Sequence, residues 1–266
     1  MNNMNLSFSE WTYPTKKIKK QLIALSPSGL LAHAVGNVLT IFLEAEKGFD
    51  TLISWAPFEH DISAMCWYDA TNIPEIVVPI LVLASKSKKV IIYDFCARKN
   101  IVAFNLTGDK PATIMRWSPI SSSRFFIGTG NGDFHCCSLV LGKEAQFNIE
   151  WTINLDFKID FISFEPHFSK KVLVASKSGQ LNFIYNVHSK EPIISPENYT
   201  LCGNNNKIYS CVFVQSSTNY LLVVSKLGTI IYAIAEQESF NLFKDHKLKY
   251  LYPVQSLRIR KKNPCL

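Results

Sequence analysis

The sequence has few charged residues and no hydrophobic run long enough to cross a membrane as a helix. Only 18% of its 266 residues are charged and 47% are hydrophobic, which excludes a disordered chain and allows a sizeable core. The most apolar window, residues 76–84, contains Pro79 and is far shorter than the roughly 20 residues of a helical span. Residues 1–15 lack the apolar stretch and cleavage site of a secretory signal. We therefore expect a globular protein of the cell interior without a transmembrane segment.

Signatures of catalysis and metal binding are also lacking. There is no Cys-x-x-Cys pair, no Gly-x-Ser-x-Gly elbow and no pair of carboxylates in an acid–base motif. The glycine-rich segment 128–133 has neither the lysine nor the following helix of a phosphate-binding loop, so it is interpreted as a hairpin turn. Consecutive strand residues point to opposite faces, which predicts core and surface positions for His135, Cys136 and Cys137. We expect no cofactor, no metal and no enzyme activity.

The seven cysteines are an odd number, and most of them alternate with apolar residues in strand-like runs. Such a pattern favours buried, reduced thiols that pack as small hydrophobic side chains over a framework of disulfides.

Residues that favour β-strands are abundant, and they recur in a repeated unit. The 18 Phe and 10 Tyr, with many Ile, Val and Leu, predict an all-β fold. Five copies share an alternating apolar strand, a second strand that ends in a small or hydroxyl residue, a tight turn and a third strand. The copies are spaced by roughly 42 to 50 residues, judged from the equivalent positions Leu25, Trp67, Trp117, Phe164 and Phe213.

Each strand of the unit has its own pattern. The second strand has no polar alternation, as in residues 80–84, 172–175 and 221–224, which predicts a strand buried on both faces. A Gly or Asn in the following turn provides the positive φ of a short hairpin. The third strand alternates with a period of two, which predicts one packed face and one solvent-exposed face.

The second copy resembles the WD40-repeat family. Residues 60–67 are similar to the family's Gly-His entry loop and first strand, and the Tyr-Asp pair at 93–94 stands where its Trp-Asp dipeptide would be. The resemblance covers residues 22–234 and implies a WD40-like β-propeller with degenerate repeats. It also implies a buried structural hydrogen-bond network that involves His60, Ser85, Tyr93 and Asp94.

The organisation that follows is five recognisable blades plus terminal strands. Residues 1–20 are expected to be an N-terminal segment or closing strand, residues 21–240 the five blades, and residues 241–266 a partial sixth blade or basic tail. Seven blades are commonest in the family. The ring is therefore small, or open and closed by another chain, or the sequence is part of a longer protein. An open ring exposes strand edges, which favours other proteins as partners that close it.

A second resemblance concerns residues 156–166, 172–185 and 256–260. These are similar to segments of the first propeller of large double-propeller WD-repeat scaffolds that capture vesicles at the trans-Golgi network. The resemblance implies a non-catalytic interaction scaffold within a multi-subunit complex. The expected location is the cytoplasm, with peripheral association with Golgi or vesicle membranes.

Part of the formal charge of +7 is concentrated in two basic clusters near the ends of the sequence. One interpretation is solubilising charge at flexible ends. The other is a patch that binds an acidic protein surface, anionic lipid headgroups or RNA, which gives the alternative function of a basic-surface binder. Nucleic acid ranks below protein because aromatic residues are not interleaved with these side chains, apart from two near the first cluster. The clusters comprise Lys16, Lys17, Lys19, Lys20, Arg258, Arg260, Lys261 and Lys262.

Overall fold

The computed structural model confirms an all-β fold. It describes residues 21–46, 48–68, 79–141, 145–166, 170–195, 199–201, 207–214, 220–225, 228–236 and 248–254. These residues form 21 strands and no helix. Within the same ranges there is accordingly no long apolar helix of the kind that crosses a membrane.

The strands form five antiparallel sheets, each built from one continuous stretch of sequence. Sheet 1 contains β1 (Gln21–Leu25), β2 (Leu30–Val35), β3 (Val38–Ala45) and β4 (Gly48–Trp55). Sheet 2 contains β5 (Ile62–Trp67), β6 (Ile80–Ser85), β7 (Lys89–Asp94) and β8 (Lys99–Asn105). Sheet 3 contains β9 (Ala112–Trp117), β10 (Arg124–Thr129), β11 (Asp133–Val140) and β12 (Gln146–Asn154).

The remaining sheets follow the same order. Sheet 4 contains β13 (Phe161–Phe164), β14 (Lys171–Ala175), β15 (Gln180–Tyr185), β16 (Ile193–Ile194) and β17 (Tyr199–Thr200). Sheet 5 contains β18 (Ile208–Phe213), β19 (Tyr220–Ser225), β20 (Gly228–Glu236) and β21 (Leu248–Val254). The last strand lies in the range predicted as a partial sixth blade or basic tail, and it pairs with β20 as the outer strand of sheet 5.

Consecutive sheets pack face to face, and each contact has its own apolar cluster. Ile41 of sheet 1 and Leu83 of sheet 2 belong to the first cluster, and Val82 and Ile127 belong to the second, between sheets 2 and 3. Further clusters join sheet 3 to sheet 4 and sheet 4 to sheet 5. The first strands of consecutive sheets are also neighbours, in the series β1, β5, β9, β13 and β18.

The predicted alternation of the third strands is wrong for the interior sheets. In each of β7, β11 and β15 four consecutive residues are buried, so both faces of the strand are covered there. The reason is that sheets 2, 3 and 4 are each covered on both faces, so no face of their third strands reaches solvent. The same arrangement buries His135, Cys136 and Cys137 completely, which corrects the surface position expected for part of this run.

Candidate functional site

The first strands of all five sheets line one cavity of about 650 Å³. Its walls are mainly apolar side chains, with Thr113, Arg116 and Ser163 as the polar exceptions. The Thr113 hydroxyl donates to the Gly128 carbonyl at 3.0 Å, and the Ser163 hydroxyl accepts from the Phe213 amide at 3.1 Å. Both hydroxyls therefore stabilise the strands around the cavity, and Arg116 is the one charged residue among those that line it.

A hydroxyl network recurs in the turn between the second and third strands of the interior sheets. The Ser85 and Ser176 hydroxyls lie 2.7 Å from Ser87 and Ser178 respectively, and the Thr129 hydroxyl lies 2.7 Å from the Asn131 side chain. The first residue of each pair is almost fully buried, at the end of its strand or directly after it. These bonds satisfy polar groups within the turn, so the network is a local stabilising device.

The four residues of the network implied by the WD40 resemblance differ in burial and in their contacts. His60 is exposed in the loop between β4 and β5, whereas Ser85 is buried and bonds within its own turn. Tyr93 is 8% exposed and its ring lies 5.1 Å from that of Trp55. Asp94 accepts a hydrogen bond from the Ala97 amide at 2.9 Å. Each of the last three residues therefore contributes locally within sheet 2 or at its contact with sheet 1.

The eight basic residues of the two predicted clusters lie outside the described residues. Among the cysteines that the structure describes, Cys66, Cys136, Cys137 and Cys211 are buried, as predicted, and Cys96 is exposed. No group of three or more potential metal ligands occurs in the described ranges.

A polar cluster lies at the contact between sheets 3 and 4. The guanidinium of Arg124 forms an ion pair with Glu150 at 2.9 Å and also donates to the carbonyl of His188. Burial raises the pKa of the neighbouring Cys136 thiol to about 12, and the charge of Glu150 acts in the same direction. The thiol therefore stays protonated at neutral pH and is a poor nucleophile.

His135 of β11 is a fully buried ionisable side chain in sheet 3. Its Nδ1 atom lies 2.8 Å from the Thr152 hydroxyl, and its Nε2 atom is buried without a partner among the described residues. Burial lowers the pKa of His135, and the charge of Asp133 opposes this only in part. The folded protein therefore favours the neutral imidazole.

We expect stability to fall in mild acid because of His135. The contribution of His135 to the free energy of unfolding is fully present above its pKa in the unfolded chain, about 6.5. It is lost at about 1.4 kcal/mol per pH unit as the pH falls toward the lower pKa of the folded state. Urea unfolding should show that the free energy of unfolding falls less between pH 7.5 and pH 5.5 in His135→Asn than in the unsubstituted chain. The exposed His60→Asn is the control, and an equal loss in all three proteins would contradict the assignment.

The second strands distinguish the interior sheets from the two end sheets. In sheets 2, 3 and 4 they are buried on both faces. In β2 and β19 burial alternates, because among the described residues only one face of sheet 1 and one face of sheet 5 has a neighbouring sheet. The face of each end sheet that points away from the stack is called its outer face below.

The outer face of sheet 1 is mainly apolar, with Gln21, His33 and Thr40 as its polar side chains in β1–β3. Ile23 and Leu25 of β1 are 68% and 65% exposed, and the strand register places them opposite His33 and Leu31 on this face. Across β1, β2 and residues 38–42, the residues in register on this face include no Asp, Glu, Lys or Arg. The outer face of sheet 5 is similar, with Tyr220 43% exposed and Leu222 half-buried.

These two outer faces are the candidate functional site. Sequence reasoning allowed an open ring as one of three alternatives but named none of the residues on these two faces. No model of a known protein family matches the chain, and no curated protein shows significant similarity to it.

Proposed function

We propose that the chain is a WD40-like β-propeller that acts as a non-catalytic interaction scaffold within a multi-subunit intracellular complex. The five sheets correspond to blades, since each is a small antiparallel sheet packed face to face on the next, with its first strand beside a common cavity. The degenerate repeats of the sequence and the WD40 resemblance of residues 60–67 support the same architecture.

The open outer face of sheet 1 carries this proposal. Soluble proteins rarely leave a large contiguous apolar patch uncovered unless it binds another molecule. Ile23 and Leu25 are more than half exposed, and full burial of one such side chain contributes about 1.5–3 kcal/mol. A partner that covers this face gains most of that contribution at several adjacent positions, which suits a stable assembly.

Vesicle trafficking at the Golgi is the cellular setting that we propose. Its support is the resemblance of residues 156–166 and 172–185 to the first propeller of trans-Golgi scaffolds. Apolar faces that bind proteins and a peripheral position on Golgi or vesicle membranes suit a subunit of such an assembly.

Affinity purification of the intact chain from its native cells, at low and moderate salt, tests the function. We expect one set of partner proteins at both salt concentrations, because apolar contacts are not screened by ions. A chain recovered alone would contradict the scaffold. Nucleic acid or anionic lipid that dissociates steeply with salt would support the basic-surface alternative instead.

A further inference from the structure

We propose that the cavity lined by the first strands binds a small organic carboxylate with an apolar body, and that Arg116 holds its charged group. This binding site goes beyond the proposed scaffold function. It does not depend on that function, because it uses the interior of the ring of strands and not the outer faces.

One position of each first strand contributes to the cavity in the same way. It directly precedes the position that is equivalent in the five copies of the sequence unit. In four sheets this position has a short, uncharged side chain, and in sheet 3 it has an arginine. All five residues line the cavity, namely Ala24, Cys66, Arg116, Ser163 and Val212. The short side chains leave space in the cavity, and the arginine places a single cation beside it.

The strand register explains why Arg116 is not buried. Arg116 of β9 pairs with Phe126 of β10, so both side chains lie on the face of sheet 3 that packs on sheet 4. Phe126 is fully buried there, whereas Arg116, one strand closer to the cavity, is exposed. The other face of β9 is fixed, because Met115 and Trp117 belong to the cluster between sheets 2 and 3.

The other polar side chains around the cavity already have partners. The two hydroxyls bond to main-chain groups, as described above. The indole N–H of Trp67 donates to the Ala24 carbonyl at 3.0 Å, and that of Trp117 donates to the Ser121 carbonyl at 3.1 Å. The side chain of Arg116, in contrast, forms no hydrogen bond or ion pair with any residue that the structure describes. Its guanidinium is therefore the group that a ligand can use.

The chemistry of the lining defines the ligand. A guanidinium donates two parallel hydrogen bonds to a planar carboxylate, which makes this the best-matched anion. Arg116 is the one charged lining residue, so a second negative charge on the ligand would lack a partner and would be costly to bind. Apolar side chains such as Leu22, Met65 and Ile114 suit an apolar body. The volume of about 650 Å³ lies within the range of about 300–1,000 Å³ that is usual for small-molecule sites.

Binding of pyrenebutyrate, a fluorescent apolar carboxylate, tests the inference on the full chain. Trp67 and Trp117 line the cavity, so a bound pyrene should accept energy from them and quench the tryptophan fluorescence. We expect saturation at one molecule per chain. Pyrenebutanol has the same apolar body without the charge, and we expect it to bind about tenfold more weakly or worse, because it cannot form the charge-assisted pair with Arg116.

Matched substitutions assign the binding to Arg116. Arg116→Gln should weaken the binding of pyrenebutyrate by about tenfold or more and leave that of pyrenebutanol unchanged. Arg116→Lys should regain part of the affinity, because lysine keeps the charge but not the fork of donors. Arg98→Gln is the control, since Arg98 is exposed in the turn between β7 and β8 and does not line the cavity. Equal thermal midpoints of the variants would show that folding is intact.

Three results would overturn the site. The first is no binding of pyrenebutyrate, and the second is equal affinity of the acid and the alcohol. The third is binding of the acid that Arg116→Gln does not weaken, in which case the probe occupies apolar surface elsewhere on the chain. None of these results bears on the scaffold function, which the recovery of partner proteins tests separately.

Discussion

Replacing Phe126 by alanine should lower the free energy of unfolding by about 3–5 kcal/mol. Phe126 is fully buried in β10, at the contact between sheets 3 and 4. Its ring centroid lies 5.6 Å from that of Phe134 and 5.3 Å from that of Phe164, which belongs to the next sheet. Alanine would remove these contacts and leave a cavity between two sheets, where neither backbone can collapse without disturbing its own strand pairing.

Phe49→Ala is the matched control for this prediction. Phe49 lies in β4 and is 52% exposed, so its removal should change stability by no more than about 0.5 kcal/mol. Urea unfolding followed by tryptophan fluorescence would measure both variants. Similar effects of the two substitutions would contradict face-to-face packing of sheets 3 and 4 around Phe126.

The sequence predicted the second strands and the turns best, because their signals are local. The unbroken apolar run of residues 80–84 is a strand buried on both faces, as expected. The glycine-rich segment 128–133 contains the hairpin turn between β10 and β11, with Gly132 at a φ of 93°. In both cases the physical cause, continuous hydrophobicity or a requirement for positive φ, is carried by the residues themselves.

The outer strands of the sheets could not be predicted from hydrophobic patterning. In β4 six of eight residues are exposed, β8 mixes exposed with half-buried residues, and β12 does the same apart from the buried Trp151. Such strands are held by main-chain pairing with the third strand of the same sheet. Because they lie at the edge of the sheet, they do not need an apolar face. The recurring unit therefore looked three-stranded in the sequence although each sheet has at least four strands.

The candidate site was hidden for a different reason. Leu222 and Val224 have the same chemistry as Val82 and Ala84, and nothing in either run says whether another sheet follows. Burial of a strand depends on its neighbours in space, so the difference between an interior and an end sheet emerges only when the sheets are stacked. The hydroxyl network of the turns between the second and third strands did have a sequence pattern. Ser85, Thr129 and Ser176 are each followed two residues later by Ser or Asn.

Replacing Gly179 by alanine should destabilise the protein by about 2–6 kcal/mol through two additive causes. Gly179 has a φ of 101°, a conformation in which a side chain costs about 1–3 kcal/mol. An added Cβ would also lie 2.5 Å from the carbonyl oxygen of Leu201. That main chain is fixed, since the Leu201 amide donates to the Gly179 carbonyl at 2.7 Å and its side chain is fully buried. Overpacking of this kind costs a further 1–3 kcal/mol or so.

Gly48→Ala separates the two causes. Gly48 also has a positive φ, of 134°, but an added Cβ there would meet no atom within 4 Å. Its cost should therefore reflect backbone strain alone, about 1–3 kcal/mol below that of Gly179→Ala in urea unfolding. An equal loss of stability in the two variants would mean that the turn before β15 does not contact the main chain at Leu201. That contact joins β17 to the rest of sheet 4, and sheet 4 in turn supports the face on which sheet 5 packs.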